Sequence, residues 1–167
     1  MIKRLGLIFI LLSIQGLLGQ GLTGKEAPDF SGLDINGKKI NLADYRGKIV
    51  LLDFWASWCA PCKQELPFLI EFYNKHKKDD FIVVAVNIDN ERDNMFHFLA
   101  KNDGTKSFPV VFDPDKKIPP LYDLQAMPTS FFIDNKGIIR FVHSGFNEST
   151  KKEFRQELTL LLNEKKE

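Results

Sequence analysis

From Ile49 to Phe54 the chain is apolar except for Asp53. A short, near-continuous apolar run of this kind predicts a strand buried on both faces. Phe81 to Ile88 repeats it, broken only by Asn87. Between the two runs Leu66, Leu69, Ile70 and Tyr73 recur at three-to-four spacing, which predicts a helix over 61–76. Pro67 falls inside that helix, where its missing N–H and its ring predict a kink. Strand, helix, strand in this order predicts a parallel βαβ unit. Upstream, Asn36-Gly37 between two short strand-like runs signals a hairpin. Leu42 to Tyr45 reads as one helical turn, closed by Gly47.

Downstream, Asp89 to Lys106 is polar and carries a helix over about 93–101, with Met95, Phe98 and Leu99 on one face. Phe108 to Phe112 reads as a short strand, and Pro119 to Tyr122 as a helical turn. Ser130 to Asp134, the turn Asn135-Lys136-Gly137, and Ile138 to His143 read as a strand and its return. From Ser149 an amphipathic helix turns Phe154, Leu158 and Leu161 inward.

The first twenty residues are different in kind. A basic start, Met1 to Arg4, precedes an apolar stretch from Leu5 to Leu18 and the small, polar Gly19-Gln20-Gly21. That is the layout of an export signal. The cut site is not a clean A-x-A, and no charge appears from Leu5 to Gly24, which is about the ~20-residue length of a spanning helix. Residues 1–20 are therefore expected to be a signal peptide or an N-terminal anchor. The domain proper, 24–167, is expected outside the cytoplasm, in the periplasm or its equivalent. With no cysteine in the segment, a lipid-modified cysteine is excluded as the anchor.

Composition narrows the field. At 167 residues, 44% hydrophobic and 27% charged, the chain fits one globular domain rather than a disordered one. A formal net charge of +1, without a basic stripe, gives no basis for nucleic-acid binding.

The chemistry lies in Trp58-Cys59-Ala60-Pro61-Cys62, which holds the only two cysteines. A bridge between them closes so small a loop that it removes little unfolded-state entropy, so it makes a poor staple. A structural zinc takes four ligands, and no second Cys pair or His-x-x-His supplies them. Copper delivery through the pair and a distant histidine stays an alternative. At a helix start, unpaired N–H groups and the dipole favour thiolate. Lowering a thiol from ~8.5 to ~7 takes it from about 3% to about half thiolate at neutral pH, a shift of ~2 kcal/mol. Cys59 is thus expected to be the attacking, exposed sulfur, and Cys62, one turn in, the buried resolving one. Pro61 suits the first turn, where a missing N–H costs nothing.

Two carboxylates lie near the pair. Asp53 interrupts an apolar strand, so burial is expected to raise its pKa. Glu65 follows Cys62 by three residues, on the same helical face. Either could take the proton of Cys62. The plainer alternatives are a strand-end aspartate reaching solvent and a surface glutamate on the helix. Trp55 and Trp58 could be core, and Trp58 could equally form a contact surface.

With these pieces in order, the chain resembles the thioredoxin fold, and more closely the exported TlpA/ResA-like thiol-disulfide oxidoreductases. The likeness rests on Ala27-Pro28-Asp29-Phe30, Tyr45-Arg46-Gly47-Lys48, Asp53 through Cys62, Glu65-Leu66-Pro67 and Met127-Pro128-Thr129. It implies an α/β thioredoxin fold: a central mixed β-sheet flanked by helices, with an N-terminal β-hairpin and an inserted helix-strand segment over about 89–108. It implies that Cys59 is the nucleophile, that Cys62 resolves, and that the two form a redox-active disulfide. Pro128 would be a cis-proline facing the pair, with Trp58, Pro61 and the backbone of Met127 holding an extended substrate segment. Glu65 matches the acidic helix residue of the exported branch and Asp53 the buried aspartate of cytoplasmic thioredoxins. Ala85 stands where many thioredoxins have lysine.

The implied activity is reduction of specific protein disulfides outside the cytoplasm, including apocytochrome c during cytochrome c maturation. A membrane thiol carrier would return the electrons; no cofactor is called for, and a monomer is expected. The absence of histidine between the cysteines tilts the direction toward reduction. A thiol peroxidase shares the fold, but neither cysteine sits in Pro-x-x-x-Thr/Ser-x-x-Cys.

Overall fold

Backbone pairing sorts seven strands into two sheets, in a computed structural model that describes residues 20–102 and 107–166. The signal or anchor expected over 1–20 lies outside the described residues, save Gln20 at the start of a 3-10 turn. β1 (Ser31–Leu33) and β2 (Lys39–Asn41) form the antiparallel hairpin. Its turn is not centred on Asn36-Gly37 alone. Asp34 Oδ1 accepts from the backbone N–H groups of Asn36 and Lys38, at 2.8 Å each, and only Gly37 takes a positive φ, +78°. The loop is longer than a two-residue turn because this aspartate organises it.

The main sheet holds β3 (Ile49–Trp55), β4 (Phe81–Asn87), β5 (Val110–Phe112), β6 (Thr129–Ile133) and β7 (Ile139–Ser144), in the order β5-β4-β3-β6-β7. β3, β4 and β5 run parallel, while β6 is antiparallel to β3 and to β7. Every residue of β3 and β4 is buried, which accounts for their unbroken apolar pattern. The segment after β4 supplies the expected helix and strand, with β5 shorter than the apolar run around it.

Helix α1 (Cys62–His76) and helix α3 (Glu148–Glu164) cover one face of the sheet. Phe154 of α3 packs on Phe68 of α1 and on Phe132 of β6, with ring centroids 6.1 and 5.4 Å apart. Phe72 meets Phe81 at 5.4 Å. The three-to-four spacing places Ile70 and Tyr73 on the buried stripe of α1, yet both are only half-buried, and Phe68 and Phe72 are buried instead. The reason is that α1 is packed between the sheet and a second helix and buries a wider arc, Phe72 against Phe81 of β4 and Phe68 against Phe154 of α3. Pro67 lies on the exposed side of α1, and the helix continues through it. Asn147 caps α3, accepting from the N–H groups of Ser149 and Thr150.

The other face carries an aromatic cluster. Tyr122 lies 5.4 Å from Phe54 and 5.1 Å from Phe131, and its hydroxyl donates to the Pro28 carbonyl. Helix α2 (Arg92–Lys101) reaches the core through Met95, Leu99 and a contact of Phe98 with Trp55 at 5.5 Å. The two faces leave the carboxyl-terminal end of β3 free to deliver the chain into Trp58-Cys59.

Candidate active site

Strand β3 ends at Trp55 and α1 begins at Cys62, so the six residues between them are held from both ends. Cys59 and Cys62 are joined by a disulfide, with Cα atoms 5.3 Å apart. Pro61 sits at the N-cap position with φ −66°, already helical. The Cys62 N–H donates to Cys59 Sγ at 3.3 Å. The first free donor of the helix is therefore aimed at the sulfur expected to carry negative charge. Cys59 is 6% exposed and Cys62 1%. The order is as expected, but Cys59 is nearly covered rather than open. It lies in a groove of about 530 Å³ with Trp58, Pro61, Ile88, Leu124 and Met127.

No charged side chain lines that groove. Trp58, 62% exposed, forms its rim, which favours the contact-surface reading over the core one; Trp55 is the core tryptophan. The opposite wall is the loop before β6, where the Met127–Pro128 bond is cis, as the family likeness implied. Thr129 Oγ1 donates to the Ala126 carbonyl at 2.9 Å, and the Gly145 N–H to the Pro128 carbonyl at 2.8 Å. These bonds pin the loop on both sides of the proline. A larger hollow of about 840 Å³ lies against β7 and includes neither cysteine, so size alone would misplace the site.

Asp53 and Glu65 are both 1% exposed, so neither the solvent-reaching strand end nor the surface glutamate describes them. Antiparallel register places Ser130 of β6 opposite Asp53, and parallel register places Ala85 of β4 on its other side. Ser130 Oγ is 3.0 Å from Asp53 Oδ1 and 2.9 Å from Glu65 Oε1. Glu65 Oε2 is buried without a hydrogen-bond partner. Burial pushes Asp53 up to about 7, with the Ser130 hydrogen bond pulling the other way. Burial, and then the nearby Asp53 charge, hold Glu65 well above the usual carboxylate range, again against Ser130. No cation is among the groups that act on either carboxyl.

A second polar set braces the loop before the cysteines. The buried Asp89 carboxylate accepts from the Ser57 N–H at 3.1 Å, the Ser57 hydroxyl at 2.9 Å and the Asn87 amide at 2.9 Å. Asp89 thus ties the end of β4 to the start of the Cys59 loop. Sequence reading missed both Ser130 and Asp89. Each had a signal: a lone hydroxyl in the apolar run after Met-Pro-Thr, and Asn-x-Asp closing an apolar strand.

A thioredoxin-type sheet with a Cys-x-x-Cys pair at a helix start, beside a cis-proline, defines a thiol-disulfide oxidoreductase. Comparison with known proteins agrees. The AhpC/TSA family model matches residues 23–142. A thiol-disulfide oxidoreductase ResA of Bacillus anthracis is 38% identical over 158 residues, covering 87% of this chain and 89% of that one. Thioredoxin-like protein YneN of Bacillus subtilis is 41% identical over 138 residues, covering 82% and 79%. A Chlorobium tepidum structure described as a thiol:disulfide interchange protein DsbE superposes with TM-score 0.79 at 40% identity, covering 84% of this chain and 97% of that one. The chain belongs to the AhpC/TSA family, in its TlpA/ResA-like thioredoxin-fold branch. Among the described residues, no group of three or more His, Cys, Asp or Glu side chains could hold a metal ion, and no helix is long and apolar enough to cross a membrane.

Proposed function

We propose that this oxidoreductase is an extracytoplasmic dithiol reductase of specific protein disulfides, with the disulfide of apocytochrome c as the foremost substrate. The observation that carries the reading is the Cys62 N–H on Cys59 Sγ at the mouth of an uncharged groove. In the reduced protein that donor stabilises the Cys59 thiolate. The thiolate attacks one sulfur of the substrate, a Cys59–substrate bond forms, and the other substrate sulfur leaves as thiolate. Cys62 then gives up its proton on the buried side, where Asp53 and Glu65 stand, and attacks Cys59 Sγ. The substrate's second sulfur departs, and the Cys59–Cys62 disulfide remains. Two electrons have passed to the substrate, and a membrane thiol carrier returns them.

The groove and cis-proline loop fit an extended segment flanking the target cysteine. Trp58 and Met127 would contact it, with the Met127 backbone pairing in strand fashion. The basic start and apolar stretch of residues 1–20, laid out as an export signal is, support placing the activity outside the cytoplasm. The test uses a peptide with a disulfide-closed Cys-x-x-Cys-His segment, the haem-attachment pattern. The reduced protein should convert it to the dithiol, and Cys62→Ser should stall as a mixed disulfide on Cys59. No reduction of this peptide or of any other protein disulfide would overturn the reading. So would a reduction potential near the oxidising end, about −120 mV.

A further inference from the structure

We propose that Ser130 joins Asp53 and Glu65 into one buried acid–carboxylate couple that holds a single proton and takes the Cys62 proton as a unit. The inference rests on the reductase reading for its purpose, but its geometry stands apart from it. A serine hydroxyl has one hydrogen to donate and two lone pairs. Ser130 Oγ lies 3.0 Å from Asp53 Oδ1 and 2.9 Å from Glu65 Oε1. It can donate to only one of them. With both carboxyls ionised, the other contact would be bare oxygen against oxygen in the core. The second bond exists only if one carboxyl carries a proton and donates it to Ser130. The arrangement is then a relay: acid to hydroxyl, hydroxyl to carboxylate, one negative charge in all.

The surroundings favour that charge state. On this face of the sheet, β4 contributes Ala85 beside Asp53, and α1 contributes Glu65 and Cys62. The residue opposite Ser130 on β7 is His143, and it is engaged by Glu153 and Glu157 of α3 at 3.3 and 2.8 Å. Two buried negative charges without an adjacent cation repel and are poorly solvated, whereas a single one accepts from a hydroxyl that the neighbouring acid in turn bonds.

Glu65 Oε2, buried and unpartnered, is the vacant acceptor of the couple, three residues from Cys62 on one helix. When Cys62 attacks Cys59, its proton passes to that oxygen, the Cys59–Cys62 bond forms, and the substrate sulfur leaves with the electron pair. The couple goes from one proton to two, and at pH above about 7 it gives the second up to solvent, which leaves the singly protonated couple of the disulfide form. Re-reduction opens the disulfide, and Cys62 regains its proton through the same couple. Ser130 is a positioning residue: its hydroxyl bonds the two carboxyls and neither sulfur, and it sets how many protons the couple holds.

The experiment is a 13C carboxyl titration of the oxidised protein, with Ser130→Ala and Ser130→Thr alongside. In wild type each protonation step should move both carboxyl signals, with one proton lost near neutral pH and the other in a separate step. Ser130→Ala should draw the two steps together by about one pH unit, because the singly charged form loses more hydrogen bonding than its neighbours. Ser130→Thr should restore the separation. Carboxyls that titrate independently, or a separation unchanged in Ser130→Ala, would overturn the couple. A second readout is the pH profile for release of a peptide thiol from its mixed disulfide with Cys59, the step Cys62 performs. Its midpoint should move in Ser130→Ala and return in Ser130→Thr; a uniform loss at every pH would refute the proton role. The titration needs no substrate, so a failed couple and a failed reductase reading give different results.

Discussion

Replacing Asp53 by Asn should stabilise the oxidised protein, and by more at high pH than at low. The folded state holds the Asp53 carboxyl neutral up to about 7, because burial raises it from 3.8. The unfolded chain ionises the same group near the ordinary value of an aspartate. Between those two values the folded state binds more protons, so stability is greatest below the unfolded pKa and is lost as pH rises through the folded one. The gap corresponds to roughly 4 kcal/mol once pH exceeds both. By pH 4.5 roughly 1 kcal/mol of it is already lost, and by pH 8.5 nearly all of it. Asn is neutral throughout. The stability difference between variant and wild type should therefore widen by about 3 kcal/mol from pH 4.5 to 8.5. Urea unfolding of both oxidised proteins, followed by tryptophan fluorescence at the two pH values, measures it from the midpoints at common slope. A difference that does not change with pH, or a wild type that gains on the variant as pH rises, would refute the raised carboxyl.

Two further substitutions probe other parts of the site. Asp89→Ala removes the acceptor for the Ser57 N–H, the Ser57 hydroxyl and the Asn87 amide, all inside the fold. It should cost about 2–3 kcal/mol in urea, and a loss within error would deny Asp89 its bracing role. Trp58→Ala should leave stability within about 0.5 kcal/mol, because the side chain is largely exposed. It should raise KM for a protein disulfide about fivefold, near 1 kcal/mol, and leave reaction with a small dithiol unchanged; equal effects on both would remove Trp58 from the contact surface.

The parts of this molecule legible in the sequence are those governed by local pattern. The apolar runs at 49–54 and 81–88 mark the two central strands because both faces of each are covered. Cys-x-x-Cys is legible because its chemistry depends on spacing within one turn. The burial of Phe68 was not, since nothing within α1 reveals that α3 lies against it. Asp34 was overlooked beside the louder Asn36-Gly37 signal, although its carboxylate organises the hairpin turn. Asp53 and Glu65 were visible as candidates, but their choice between core and solvent depended on partners from β6 and β4 that the chain supplies far away in sequence.

Ser130 shows why those partners matter. Its position opposite Asp53 follows from the β3–β6 register, and a slip of one residue would turn it to the far face, among Phe54, Phe131 and Tyr122. That register is fixed by aromatic packing on both faces: Phe132 on Phe154 on one side, Phe131 on Tyr122 on the other. The apolar core therefore does more than stabilise the sheet, since it also brings one hydroxyl within 3.0 Å of two carboxyls from different elements. Two acids beside an apolar strand break the rule that buried charges are paired, and they do so one helical turn from a sulfur that must shed a proton. A local violation held in place by an otherwise consistent fold is what a site selected for proton transfer, rather than for stability, should look like.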